Sequence, residues 1–270
     1  MATATETTDQ GRPRVVVSVG MSVDARVTLS RDRLLMDQDT GRIWASLWPA
    51  GSHALGDVRS SLIADLYRPQ AVLEGSGSLV HDSAGPLTGL SMEIDEPAAE
   101  LFTDFLPEEV VGRPGHEMWF TVVDSRGRVH WHTKSNGEYD ALVLVARATP
   151  PEYLSYLRRE RISYLVAGET RVDLAAALRR MRDRLGVTCV MSTAGGGLNG
   201  ALLRAGLIDE IHLSVCPAAI GGRGTPTVFD GPELAHGESP TRLRLLTAQV
   251  ETDGTLWLRY DVVHDGSSGP

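Results

Sequence analysis

Apolar and polar positions along this chain switch repeatedly between the period of a strand and that of a helix. Arg14 to Gly20 (RVVVSVG) is a β-branched run suited to a buried strand, and Arg26 to Leu29 reads as a second after the turn at Ser22-Val23-Asp24-Ala25. A polar loop then leads to Ile43-Trp44. Leu55, Val58, Leu62, Ile63 and Leu66 share one side of a helix that ends before Pro69. Further strands are predicted at 71–73, 117–124, 141–146, 163–167, 187–191 and 208–215. Helices are predicted at 150–159, at 174–185 behind the cap Asp173 and before Gly186, and at 198–205 before Gly206. Arg242 to Val250 and Thr255 to Val263 flank Asp253-Gly254, a hairpin signature. The order predicts an α/β fold: a mostly parallel central sheet with helices on both faces and a C-terminal antiparallel hairpin. Residues 82–116, rich in proline and acidic at Glu93-Ile94-Asp95-Glu96, read as an insertion or a lid.

The chain has 270 residues, enough for one α/β domain, here drawn over residues 13–263. A net charge of −9 argues against a general nucleic-acid or anionic-membrane surface. The two cysteines, Cys189 and Cys216, sit in apolar strand-like segments and read as buried reduced thiols, with no CxxC pair. Residues 1–12 are polar without an apolar targeting core, and 264–270 read as a second tail. No apolar run is long enough to span a bilayer, so a cytoplasmic protein with no membrane partner is expected.

Candidate chemistry gathers at glycine-rich turns. Val187 to Leu203 (VTCVMSTAGGGLNGALL) runs from a buried strand through three glycines into a helix. Glycines let a backbone approach a phosphate, and a helix start supplies free N–H groups and partial positive charge. The turn is equally compatible with tight packing alone. It is neither a GxGxxG turn after the first strand nor a Walker loop. Glu74 to Asp82 (EGSGSLVHD) has a related design: Ser76 and Ser78 offer hydroxyls and Asp82 can accept from a ribose. Two such turns after strands favour a nucleotide lying across strand C-termini.

Four segments, in order, resemble the bacterial riboflavin-biosynthesis reductase domain, the RibD C-terminal-like family of the dihydrofolate-reductase-like superfamily. The most specific runs from Gly196-Gly197-Leu198-Asn199-Gly200 to Ile211-His212-Leu213, followed by Pro217 and Gly221-Gly222. The others are Gly20 to Val27, Glu74 to Leu87, and Val123 to Arg128. The resemblance implies a three-layer dihydrofolate-reductase-like fold, NADPH as hydride donor and a homodimer. It implies reduction of a C=N or C=O in a small heterocyclic or ribosylamino-pyrimidine-like substrate. Carried over by position, Gly20, Trp44, Ser78, Asp82, Ser125 and the turn Gly195, Gly196, Gly197, Leu198, Asn199 would line NADPH. Arg26, Arg68 and Thr193 would lie near substrate. Three positions depart from the family pattern. Thr193 stands where a glutamate is usual, Ala25 replaces a glycine, and Leu66-Tyr67-Arg68 falls where a phosphate-binding arginine ends the first helix. The zinc deaminase pattern that often accompanies this domain is absent from the sequence.

Single residues also admit plainer readings. Asp24 either assists protonation or caps its turn. His212 reads as structural or as a dimer contact, Asp209-Glu210 as a solvated strand start, and His130-Trp131-His132 as surface packing or a substrate loop. Arg126 and Arg128 form a solvated turn or read a cofactor 2′-phosphate. Two other functions fit the same fold: a noncatalytic nucleotide-binding or ligand-sensing protein, and a dihydrofolate reductase using Asp24 or Glu74 against a pterin.

Overall fold

The computed structural model describes residues 11–92 and 98–264. The acidic stretch Glu93-Ile94-Asp95-Glu96 and most of both expected tails lie outside these residues. Arg12 and Pro13 are buried, and the Arg12 carbonyl accepts from Arg182 Nη1 at 3.3 Å, so ordered packing begins before the first strand.

In chain order the elements are β1 (Arg14–Ser22), α1 (Gln38–Ser46), α2 (Ser52–Tyr67), β2 (Ala71–Gly75), α3 (Glu108–Val111), β3 (Met118–Val123), β4 (Tyr139–Val145) and α4 (Pro151–Arg159). There follow β5 (Ser163–Val166), α5 (Leu174–Leu185), β6 (Cys189–Ser192), α6 (Gly196–Arg204), β7 (Glu210–Cys216), β8 (Arg242–Val250) and β9 (Leu256–Val263). They group into two compact units. The first comprises residues up to Pro13 with Pro69–Val190, and the second comprises Arg14–Arg68 with the residues from Met191 onward.

In the first unit β5, β4, β3 and β2 lie side by side, all parallel. Leu142, Val143, Leu144 and Val145 are all buried, so β4 is covered on both faces, as its unbroken apolar run requires. Tyr153, Leu154 and Leu157 of α4 pack with Leu101, Val122, Trp131, Val143 and Tyr164. The buried phenol of Tyr153 donates to the Val129 carbonyl and accepts from Trp131 Nε1, both at 3.1 Å, so the core carries no orphaned polar group there. Helix α5 follows its sequence signals: Asp173 caps Ala176 N–H at 2.9 Å and Gly186 ends it at φ 68°. Within the expected insertion, Phe105 pairs with Tyr164 as a short extension beside β5.

In the second unit the order is β1, β7, β9, β8, with β1 and β7 parallel and the last two strands antiparallel. The two faces of this sheet differ in kind. Val15, Val17 and Val19 of β1 with Ile211 and Val215 of β7 are buried on one face. Ser18, Gly20, Glu210, His212, Ser214, Trp257 and Arg259 share the other. The period of 2 in EIHLSVC dictates this split.

Helix α2 lies on the polar face. At its end Tyr67 donates to Glu210 Oε2; earlier on the helix, Arg59 Nη1 donates to Ser214 Oγ at 2.6 Å. The eight helical steps from Arg59 to Tyr67 rise about 12 Å, close to the four strand steps from Glu210 to Ser214, so α2 runs antiparallel to β7. Glu210, 1% exposed, accepts from Arg259 Nε at 2.6 Å, Arg14 Nη2 at 3.1 Å and His212 Nε2 at 2.7 Å. The expected solvated strand start is therefore, at Glu210, a buried hub, while Asp209 caps Val15 N–H at 2.7 Å. Hydrogen bonds from His212, Arg259 and Tyr67 hold the Glu210 carboxyl well below the usual range against the opposing cost of burial. Burial and the Glu210 carboxylate push the Tyr67 phenol up to about 12. Burial lowers the His212 pKa, leaving a neutral ring that donates from Nε2.

Three expected elements differ. Helix α1 occupies the expected polar loop before Trp44. Arg26–Leu29 is not a strand but makes one antiparallel bridge, Arg26 to Thr227. Residues 82–116 contain a 3₁₀ turn at Ala98–Phe102 and the short α3.

Glu210→Gln is expected to destabilise the protein by about 3 kcal/mol or more, because Arg14 and Arg259 lose their shared counter-charge. A depressed Glu210 pKa contributes stability above the ordinary value of 4.5 that is lost as pH falls below it. The depressed His212 pKa acts in the same direction below its ordinary 6.5. Urea midpoints measured across about pH 3 to 7 should fall steeply at the acid end for the wild type and more shallowly for Glu210→Gln.

Candidate functional site

Each unit carries part of the expected site. In the second unit, the turn after β1 is zipped to the loop after β7. Val23 N–H bonds the Ala218 carbonyl at 2.9 Å, Val27 N–H that of Pro226 at 3.1 Å, and Val228 N–H that of Ala25 at 3.2 Å. Asp24 holds this junction. Its carboxylate accepts from Ser22 Oγ at 2.6 Å, Ile220 N–H at 3.0 Å and Gly221 N–H at 2.7 Å. Those bonds, the Ser22 hydroxyl first, keep Asp24 ionised far below the usual carboxylate range. Asp24, expected as a proton source, is thus an acceptor that anchors the loop, which is the turn-capping alternative. Ala25, where the family pattern has glycine, adopts a left-handed φ of 61°. Arg26 turns Nε to Asp24 at 3.4 Å and Nη1 to the Thr225 carbonyl at 2.6 Å, clamping the same loop.

The glycine turn before α6 divides into two kinds of position. A β-carbon on Gly196 would stand 2.1 Å from the Thr227 carbonyl oxygen, and one on Gly200 would stand 1.7 Å from that of Asp230. These two glycines exist for packing of α6 against the 225–230 loop, which Asp230 N–H fastens to the Gly196 carbonyl at 2.9 Å. Gly195 and Gly197 face open space. Gly195 is the cap of α6 and has no side chain to engage its first N–H groups. Asn199 is fully buried; its Oδ1 accepts from Ser192 Oγ and its Nδ2 donates to the Ala194 carbonyl, both at 2.7 Å. Asn199 shapes the turn from beneath, while Gly197 is exposed and Leu198 half-buried. Thr193 is exposed just after β6.

At the end of β1, the Trp48 ring covers Gly20: a β-carbon on Gly20 would lie 2.7 Å from it. Trp44, half-buried on α1, meets Trp48 edge-on at 6.3 Å. Arg68 caps α2 in a left-handed conformation (φ 44°), beyond the Tyr67–Glu210 contact. It therefore stands at the start of β1 and β7, more than about 13 Å of strand from Gly20.

In the first unit, Arg128 organises the other turns. The expected solvated arginine is 4% exposed; Nη2 donates to Ser76 Oγ at 2.7 Å and Nη1 to the His81 carbonyl at 3.2 Å. Burial lowers the pKa of this guanidinium. Asp124 closes the turn by accepting from Arg128 and Val129 N–H at 2.7 and 2.9 Å. Ser78 donates to Glu74 Oε2 at 2.6 Å, so both acids named for a pterin, Asp24 and Glu74, already serve as local acceptors. Gly77 leaves room for Asp82, whose Oδ1 is 3.5 Å from where its β-carbon would be. Ser125 Oγ accepts from Val172 N–H at 2.9 Å. Ser78, Asp82 and Ser125 thus sit on two turns that Arg128 ties together, and the exposed Arg126 is the one arginine of that turn left facing solvent. Sequence reasoning missed Arg128, Trp48 and Asp230 as organisers; the tryptophan pair four residues apart was the available signal.

The RibD C-terminal domain model matches residues 13–258. The chain belongs to the RibD C-terminal domain family. An Archaeoglobus fulgidus relative named 2,5-diamino-6-ribosylamino-4(3H)-pyrimidinone 5′-phosphate reductase is 32% identical over 82% of this chain and 87% of its own length. A Methanothermobacter thermautotrophicus protein of the same name is 35% identical, and the match spans 49% of this chain and 61% of that protein. Acinetobacter baumannii RibD superposes with a TM-score of 0.55 at 18% identity, covering 94% of this chain and 59% of that one. That likeness establishes a dihydrofolate-reductase-like α/β fold for this RibD-type domain.

The glycine series has an unequal expected cost. Gly200→Ala and Gly196→Ala should each lose about 1–3 kcal/mol by overpacking against carbonyl oxygens. Gly197→Ala should change stability by less than about 1 kcal/mol, since it lies in a helix start with open space around it. Thermal unfolding of the three variants checks this order.

Proposed function

We propose that this RibD-type chain is an NADPH-dependent reductase acting on a C=N or C=O of a ribosylamino-pyrimidine 5′-phosphate or a closely similar heterocycle. The observation that carries the reading is the open Gly195–Gly197 turn at the uncapped start of α6, inside the region matched by the family. An anionic cofactor group fits there, because free N–H groups and the helix dipole favour negative charge. Gly195, Gly197 and Leu198 would hold that group through their backbones, and Gly196 and Asn199 would keep the turn rigid. Within the first unit, taken by itself, Ser78, Asp82 and Ser125 are the residues proposed for cofactor, with Arg126 the candidate for a 2′-phosphate. When bound, NADPH supplies a hydride. The protein's contribution is orientation: the Trp48 ring packs on Gly20 at the end of β1, and Trp44 meets Trp48 edge-on beside it. Asp24 stays ionised and positions the Ile220–Gly221 backbone; the proton comes from water or from the substrate.

Titration with NADPH and NADH, followed by nicotinamide fluorescence, is expected to show NADPH binding by the wild type. Gly197→Asp should weaken it by about tenfold or more through a misplaced negative charge. NADPH oxidation with a ribosylamino-pyrimidine phosphate then separates an enzyme from a noncatalytic nucleotide-binding protein. Folded protein that binds neither nucleotide overturns the reading.

We also infer a homodimer that covers β8. This strand is nine residues long at a sheet edge, and Leu243, Leu245 and Val250 are exposed. Pairing puts Leu243, Leu245, Ala248 and Val250 on one face with Leu256, Leu258 and Tyr260 of β9. A long apolar edge left bare invites association. Sedimentation should give twice the chain mass for the wild type and a shift toward monomer for Leu245→Lys.

A further inference from the structure

The polar sheet face of the second unit holds three arginines, and they differ in one respect. Arg14 and Arg259 both bond Glu210. Arg59 bonds only a neutral partner, Ser214 Oγ, at 2.6 Å. Its Nε is buried with no hydrogen-bond partner, and no carboxylate pairs with it among the described residues. The residue itself remains partly exposed, so the guanidinium is not sealed. Beside it, Ser214 is register-paired with Trp257 of β9, whose ring is 3% exposed and whose Nε1 is also buried without a partner. On the opposite side Ser214 is register-paired with Gly20.

An arginine removed from water without a counter-charge is costly, and both unpartnered groups can only donate. The missing partner must therefore be rich in acceptors and negative. It must also enter within about one strand spacing, near 5 Å, of Gly20, on which the Trp48 ring packs. Burial already lowers the Arg59 pKa with no offsetting acid, which agrees with a charge awaiting its partner.

We propose that Arg59 receives the phosphate group of the substrate, oriented by Ser214 and assisted by Trp257 Nε1–H. This rests on the reductase reading above. It gives the second unit a phosphate ligand, which Arg68, at the far end of α2, does not provide.

Two measurements test it on the intact chain. The first is thermal stabilisation by ribose 5-phosphate, with ribose as control, which requires no turnover. The wild type should be stabilised by the phosphorylated sugar only. Arg59→Met should lose the effect, and Trp257→Phe, which keeps the ring but removes the N–H, should weaken it. The second is steady-state reduction of the phosphorylated and dephosphorylated ribosylamino-pyrimidine. Arg59→Met should raise KM for the phosphorylated form on the order of a hundredfold, with little change in kcat or in NADPH affinity, and so abolish discrimination between the two. Arg59→Lys should restore part of it. A wild type not stabilised by ribose 5-phosphate, as for a site holding only water, overturns the proposal. So does an Arg59→Met or, should that variant not fold, a Trp257→Phe protein that discriminates as the wild type does. Failure of the reductase reading shows separately, as absent NADPH binding or turnover with the ribose 5-phosphate response intact.

Discussion

A carboxylate buried beneath a helix sets the frame of the second unit. Glu210 lies at the start of β7, and its partners come from β1, α2, β7 itself and β9: Arg14, Tyr67, His212 and Arg259. Leu55 and Ile63 of α2 and Val16 and Trp257 of the sheet are buried, but the serine, histidine and glutamate between them must be satisfied by hydrogen bonds if the helix is to cover them. It is held by charge-assisted hydrogen bonds whose geometry permits one register. With Tyr67 fixed against Glu210, helical rise places Arg59 at Ser214 and sets the preceding segment so that Trp48 meets Gly20. The wall of the candidate site is thus positioned from a point well away from it.

The same division between holding and binding runs through the glycines. Gly196 and Gly200 admit the carbonyls of Thr227 and Asp230, and Asp24 draws in the backbone of Ile220 and Gly221. These contacts chain the turn after β1, the loop after β7 and the start of α6 into one rigid run. Only then are Gly195 and Gly197 fixed well enough for their backbones to act as a preorganised receptor. Arg128 does the equivalent work in the first unit by spanning from its own turn to Ser76 and His81.

Much of this was legible in the sequence where a residue's own conformational preference decides the outcome. Asp173 and Gly186 bound α5, Asp253-Gly254 turns the hairpin, and the alternation in EIHLSVC splits the sheet faces. The reading failed where a long-range partner decides. Asp39, Thr40 and Gly41 in QDTGRIWAS hide α1, whose Gly41 is needed because the Leu35 carbonyl lies 2.7 Å from where its β-carbon would be. Arg128 and Glu210 read as solvated because nothing nearby in sequence shows the buried partners that make them affordable. Arg26 through Leu29 has strand-like residues but its backbone partners are the Thr225–Val228 loop, not a strand.

Arg59 differs from the other arginines of its sheet face in charge pairing and not in burial alone. Arg259 and Arg59 project onto the same sheet face and burial opposes the charge of both, yet their pKa values move in opposite directions. Glu210 and Tyr67 more than offset desolvation for Arg259; nothing does so for Arg59. An anion arriving from outside would compensate the Arg59 charge, beside a strand end where β1 carries only Gly20 and the Trp48 ring packed on it.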